Sequence, residues 1–395
     1  MENNNILIQN ANVYTENRKI KNGYLKIAGN FISDVGTLDQ LNTSNGYEII
    51  DLPEQYKIIP GMIDVHIHGV NGADTMDATT ESLETMARSL PQEGTTSFLA
   101  TTMTQEKDVI EDAIKNAGDY IHNHQKPGLS EIVGLHLEGP FISKDKAGAQ
   151  PLNHIIDPDL SLFKKWLELS KNQIKLVTLA PEQPGGEELI DYLKEKKIIA
   201  SIGHSNATTE QVDSAIKHGL SHVTHLYNQM REFHHREPGV VGAALLKDEL
   251  MVEIISDGIH AKPEAVELAY RQKTADRLIL ITDAMRAKCL KNGTYDLGGQ
   301  QVTVTGDKAV LDDGTLAGSV LRMSKAFNTI RQYTNCSIYD SIAMSSTNAA
   351  KELGLFDRKG SISIGKDADI VILDENDEVY MTFCRGKLAY KKGDN

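Results

Sequence analysis

The chain has 395 residues, more than one compact core ordinarily holds, so one large unit of roughly 250–300 residues and a smaller companion are expected. Hydrophobic residues make up 40 % and charged residues 24 %, which excludes a disordered chain, and no run approaches the ~18 apolar residues that span a bilayer. A net charge of −14 argues against nucleic acid or anionic lipid as a bulk partner, while Cys289, Cys336 and Cys384 are too scattered for a CxxC knuckle or a disulfide framework. With no cationic and apolar leader pattern in MENNNILIQNANVYTENRK, a cytoplasmic protein is expected.

The opening stretches ILIQNANVYT, GYLKIAGNFISDVG and YEIIDLPEQYKIIPG are short, apolar and turn-punctuated, without helical periodicity, and read as strands. The same texture returns at the end in GSISIGKDADIVILDENDEVYMTFCRGKLAYKKG. Both ends are therefore expected to build one small β-domain, a β-sandwich of residues 1–58 with 355–395.

Between them, over 59–354, eight apolar runs alternate with amphipathic segments: MIDVHIHG, TTSFLATT, EIVGLHLEGP, IKLVTLAP, IIASIGHS, HVTHLYN, VEIISDGIH and LILITDAM. Strands rich in β-branched residues alternating with helices indicate a parallel sheet, and eight units indicate an α/β fold closed as a (β/α)8 TIM-like barrel. An open doubly wound sheet is the alternative the pattern leaves.

Most runs end on the C-terminal side in a residue that can bind metal or move protons: His66 and His68, Glu138, His204, His225, His260 and Asp283. In a barrel that is the face on which active sites are built. Side chains alternate along a strand, so His66 and His68 point the same way and can grip one ion. The same alternation favours His225 over His222, which reads as structural, and His122, His124, His154 and His218 lie in helical or loop text. Imidazole and carboxylate without thiolate suit a catalytic divalent metal, Zn or Fe(II). Asp283, at the end of the last run, is the natural general base, with a helix N-cap as its alternative role. In YNQMREFHHREPG, Arg231, His234, His235 and Arg236 locally reverse the sign of an acidic chain, as a phosphate site or as a solvated loop. Neither GxxxxGK[ST], GxGxxG nor GxSxG occurs, so nucleotide sites and a serine elbow are not indicated.

Taken in order, HIHG (66–69), HLEGPF (136–141), GHSNA (203–207), THLYN (224–228), HHREPG (234–239), DGIH (257–260), ITDAM (281–285) and LAGS (316–319) resemble the N-acetylglucosamine-6-phosphate deacetylase family of the amidohydrolase superfamily. The resemblance implies hydrolysis of the acetamide of N-acetylglucosamine 6-phosphate, with the galactosamine epimer or another amide as alternatives. It implies one metal on Glu138, His204 and His225, a second on His66 and His68 with Glu138 bridging, and Asp283 as acid and base. Asn228, Gln229, Arg236, His260, Leu316 and Ala317 are then substrate contacts, some reaching across a homodimer interface. Many members carry a histidine where AGAQPLN has Gln150, so the donor that polarises the acetyl carbonyl is not carried over. The relatives with a carboxylated lysine are disfavoured, because Lys175 sits at the wrong end of the fourth run.

Overall fold

A computed structural model describes residues 5–394. β1 (Asn5–Tyr14), β2 (Lys19–Ala28), β3 (Phe31–Thr37), β4 (Glu48–Asp51) and β5 (Lys57–Pro60) come from the N-terminal region. The barrel strands follow: β6 (Met62–Ile67), then, after a small hairpin of β7 (Gly69–Val70) and β8 (Ala73–Asp74), β9 (Thr95–Thr101), β10 (Glu131–Glu138) and β11 (Ile174–Leu179). β12 (Ile199–Ile202), β13 (His222–Val223), β14 (Met251–Ile254) and β15 (Leu278–Leu280) complete it. Each strand pairs in parallel with the next in sequence from β6 to β15, the hairpin aside. The circle closes where Ile67 bridges Ala284 in parallel, with the Asp283 N–H donating to His66 O at 2.9 Å and the His68 N–H to Ala284 O at 2.9 Å.

Every residue of β6 and β9 is buried, as expected of strands covered on both faces. Helices on the outside start where the sequence offers caps. Thr79 accepts from the Ser82 N–H ahead of α1 (Thr80–Ser89), and Thr208 forms a capping box with Gln211 ahead of the helix at Thr209–His218. Their apolar faces join the strands in one continuous core that runs from Ile59 to Val379 and takes in Tyr14.

The two chain ends meet in an eight-stranded sheet ordered β21-β20-β19-β5-β1-β2-β3, with β4 paired to β1. Its last three strands are β19 (Ile370–Leu373), β20 (Val379–Cys384) and β21 (Lys387–Lys391), and β5 runs antiparallel to β19, joining residues more than 300 positions apart. The sheet has its own cluster around Ile8, Leu25, Ile58, Ile370 and Phe383. A buried ion cluster fastens it to the barrel: Lys359 Nζ lies 2.8 Å from Glu131 and 3.2 Å from Asp367 and also bonds Asp369, while Arg358 meets Glu131 at 2.6 Å. A three-stranded meander of β16 (Gly293–Leu297), β17 (Gln300–Thr305) and β18 (Lys308–Val310) follows the last barrel strand. It lies against the C-terminal mouth, where Gln105 donates to Gly298 O at 2.8 Å and Leu297 joins Met103 and Met285 in an apolar patch.

Candidate active site

At that mouth lies a cavity of about 380 Å³, lined among others by His68, Glu138, Gln150, His204, His225, Asn228, Gln229, His260, Asp283 and Leu316. One oxygen of Glu138 is 3.2 Å from His204 Nε2, 3.1 Å from His225 Nε2 and 3.5 Å from His66 Nε2; its other oxygen is 3.3 Å from His68 Nε2. Asp283 Oδ1 stands 3.4 Å from His66 Nε2 and 3.2 Å from His68 Nε2. The alternation argument for the HxH pair therefore holds, and five predicted ligands converge with Asp283 beside them.

The backbone at this mouth is bent out of its easy conformations. His204, His225 and Asp283 have φ of 48°, 33° and 47°, left-handed values that cost a non-glycine residue on the order of 1–3 kcal/mol each. Strained residues concentrated on the ligand set mark a place where geometry is held for chemistry. Gly139, next to Glu138, is a steric necessity: a Cβ there would lie 2.1 Å from Thr104 Oγ1.

The cluster fits a divalent cation. His204 and His225 bring their Nε2 atoms to 3.1 Å from one another, and buried His66 Nε2 has no hydrogen-bond partner. His204 Nδ1 donates to Lys146 O at 2.8 Å, which leaves Nε2 as a lone pair facing the cavity. Electrostatics agree. Burial works against charge on His66, yet Asp283, Glu138 and Glu253 outweigh it and hold its pKa well above the ordinary value. His68 is likewise pushed up to about 9 against burial, by hydrogen bonds to Asp283 and Glu138. Burial would raise the carboxyls of Glu138 and Asp283, but the histidines bring both below the usual range. The site thus demands positive charge, which protons supply or a metal ion replaces. Glu138, His204 and His225 form one candidate ligand group, and His66, His68 and Asp283 another.

The other expected substrate contacts lie at varied distances from the cavity. Arg236 is exposed, donates from Nη1 to His235 Nε2 at 2.8 Å, and does not line the cavity of its own chain. Ala317 is fully buried behind the wall, its N–H given to Ala309 O. Asn228 and Gln229 line the cavity, the Asn228 N–H donating to His225 O at 3.0 Å. Gln150 does line the cavity, but its amide is committed: the NH2 donates to Glu138 at 2.8 Å and the carbonyl accepts from the Thr104 N–H at 2.8 Å. His260 also lines it, with Nδ1 2.6 Å from Asp257.

Other residues escaped the sequence reading. Glu253, fully buried in β14, lies 3.0 Å from His66 Nδ1. Its only signal is an acid inside the apolar run MVEII. His136, the residue before Leu137, is also interior: burial and then His66 push its pKa down to about 3, and Nε2 sits 2.7 Å from Thr178 Oγ1. Lys146, half-buried, lines the cavity as well.

A closed parallel barrel that gathers imidazoles and carboxylates at its C-terminal mouth defines the class, a metal-dependent amide hydrolase. The model of the amidohydrolase family matches residues 58–389, and the chain belongs to that family. It is 51 % identical over 386 residues to an N-acetylglucosamine-6-phosphate deacetylase of Bacillus subtilis (strain 168), covering 98 % of this chain and 97 % of the relative. To an N-acetylgalactosamine-6-phosphate deacetylase of Escherichia coli O157:H7 it is 32 % identical over 375 residues, covering 95 % and 97 %. Among solved structures, a Mycobacterium smegmatis N-acetyl-D-glucosamine-6-phosphate deacetylase variant in complex with N-acetyl-D-glucosamine-6-phosphate superposes with a TM-score of 0.91 at 27 % identity, over 98 % of this chain and 100 % of that one.

Proposed function

We propose that the chain removes the acetyl group of N-acetyl-D-glucosamine 6-phosphate, giving D-glucosamine 6-phosphate and acetate in amino-sugar catabolism. The observation that carries this reading is the convergence of Glu138, His204, His225, His66 and His68 around Asp283 in a cavity of sugar-phosphate scale. The glucosamine epimer is favoured over galactosamine by the 51 % identity to a glucosamine-type relative against 32 % to a galactosamine-type one.

Glu138, His204 and His225 would hold one cation and His66 with His68 a second, Zn or Fe by the nitrogen and oxygen donors on offer. Such an ion polarises a carbonyl and lowers the pKa of water from 15.7 toward about 7. Asp283 does the proton work: ionised at neutral pH by its histidine neighbours, it takes a proton from the attacking water and returns it to the departing amine. The new C–O bond yields acetate, and the broken C–N bond leaves the amino sugar. Gln150 steadies Glu138 and leaves the acetyl carbonyl to other groups.

A homodimer is supported by an exposed apolar groove that includes Phe233, Leu246 and Leu268 and shares Tyr227 and Glu232 with the site. Arg236, exposed beside it, would then serve the neighbouring subunit's phosphate pocket. Residues 1–58 with 355–395 form the smaller domain in this reading and 59–354 the catalytic one; the terminal sheet has a cluster of its own, while Tyr14, Val371, Leu373 and Val379 pack into the barrel's core and join the two. Work in the cytoplasm accords with three free cysteines; no helix among the described residues is long and apolar enough to cross a membrane.

Acetate release from the two epimers, with metal analysis on the same preparation, tests the reading, and failure to deacetylate either sugar phosphate overturns it. Arg236→Ala is expected to lower kcat/KM for the phosphorylated substrate and to leave N-acetylglucosamine unaffected. Equal losses on both would remove Arg236 from phosphate recognition.

A further inference from the structure

Glu253 is a fully buried carboxylate that does not line the cavity, and with His66 and His136 it forms a third, interior group of potential ligand atoms behind the two that face the mouth. Its two oxygens nevertheless meet groups from both halves of the ligand cluster. Oε2 accepts from His66 Nδ1 at 3.0 Å and from the backbone N–H of His225 at 3.1 Å; Oε1 lies 3.3 Å from His222 Nε2. Of the two groups that face the mouth, His66 belongs to one and His225 to the other.

Each contact has a distinct geometric effect. The bond to His66 fixes the proton on Nδ1 and leaves Nε2 as a lone pair turned toward Glu138 and Asp283. The bond to the His225 N–H holds that residue at φ 33°, a conformation that the strand would otherwise relax. A buried carboxylate is costly alone. Here His222 offsets it from the far side, and its other nitrogen lies 3.6 Å from Glu352 on the short helix Asn348–Glu352.

We infer that Glu253 is the positioning residue that aligns both halves of the ligand cluster at once, setting the tautomer of His66 and the backbone of His225, so that the two ion positions are coupled through one side chain. The inference rests on the proposed two-position metal site. Reach, rather than charge, is what the role requires, because the acid must span from β14 to β6 and to the turn after β13.

Glu253→Asp keeps the charge and shortens the reach by one methylene; Glu253→Gln keeps the reach and one acceptor oxygen. Metal-stripped protein, checked for folding by circular dichroism, is titrated with Co(II) against a chromophoric chelator. Uptake of two equivalents by the parent protein tests the site reading separately. The Asp variant is expected to lose about 10- to 100-fold in affinity at both positions. The Gln variant is expected to lose less than tenfold, yet to shift the Co(II) absorption bands, because His66 now donates to a neutral oxygen. A reversed order of the two variants, a loss confined to one position, or affinities equal to the parent's in folded protein overturns the inference. Should the Asp variant not fold, unshifted Co(II) bands in the Gln variant overturn it alone.

Discussion

Two buried charge clusters hold this molecule together, and they are completed differently. At the junction of sheet and barrel, the carboxylates Glu131, Asp367 and Asp369 meet Lys359, Arg358 and Arg385, fixed cations supplied by the chain itself. At the mouth, the ion-pair partners of Glu138, Asp283 and Glu253 are imidazoles, whose charge is conditional. Lys359 carries its positive charge permanently, its pKa raised against burial by Asp369 and Glu131. A self-sufficient cluster fastens; one that leaves its charge open accepts an ion. The mouth is the more deeply buried of the two, and the kind of cation, fixed at the clamp and conditional at the site, separates them further.

Substitutions can break this contrast. The largest effect is expected from Asp283→Asn, which keeps the shape but cannot take or return a proton: kcat falls by about 10²- to 10⁴-fold while metal content and substrate binding persist. Steady-state kinetics and elemental analysis on one preparation check it, and loss of metal together with activity would make Asp283 a ligand first. Next in size, Lys359→Met leaves three carboxylates without their central cation and is expected to cost about 3–5 kcal/mol of stability. Denaturant melts measure it, and the metal content of the protein that remains folded should be unchanged. If the metal is lost in proportion, the two clusters are not independent.

His66→Ala combined with His68→Ala is expected to remove about one metal equivalent, with the Glu138, His204 and His225 group still loaded. An unchanged ratio after loading with excess metal would show that the pair holds no ion. The smallest effect concerns pH. Burial would raise the Glu131 carboxyl, but Lys359 and Arg358 outweigh it and bring it below its ordinary value of 4.5. A lowered folded-state pKa contributes stability that is present above the ordinary value and lost as pH falls through the folded one. The stability gap between the parent and Glu131→Gln should therefore narrow as pH drops below 4.5, and a constant gap would mean that the junction does not depend on that ionisation.

The mouth was far more legible in the sequence than the junction. Strand ends repeat, and the two-residue spacing of His66 and His68 forces them onto one face, so His66, His68, Glu138, His204, His225, His260 and Asp283 could be singled out from the runs, while their division into ligands, substrate contact and base came from the family resemblance. Glu131 and Lys359 are 228 positions apart, and no spacing rule links an acid at the start of one strand to a lysine in a late loop. Glu253 was missed for a similar reason: one acid in an apolar run has no partner nearby in sequence. Arg236 could be recognised as a charge but not located, since a loop after a two-residue strand can leave the barrel in any direction. The meander of β16 to β18 went unread because its strands alternate exposed and buried residues over only a few positions, as in QQVTVT.

The barrel's closing seam lies inside the site. The first and last strands join through His66 O, the Asp283 N–H and the bonds of His68 and Gly69 to Ala284, so residues that finish the cylinder, His66, His68 and Asp283, belong to the candidate ligand cluster. Ring closure across more than 200 residues is slow and comes late. On the ribosome, His66 and His68 emerge long before Asp283, and they have no partner strand on that side until the eighth run is made. The cavity therefore comes into being in the same step that turns an open sheet into a barrel, and an ion held between His68 and Asp283 has to arrive after the chain has closed.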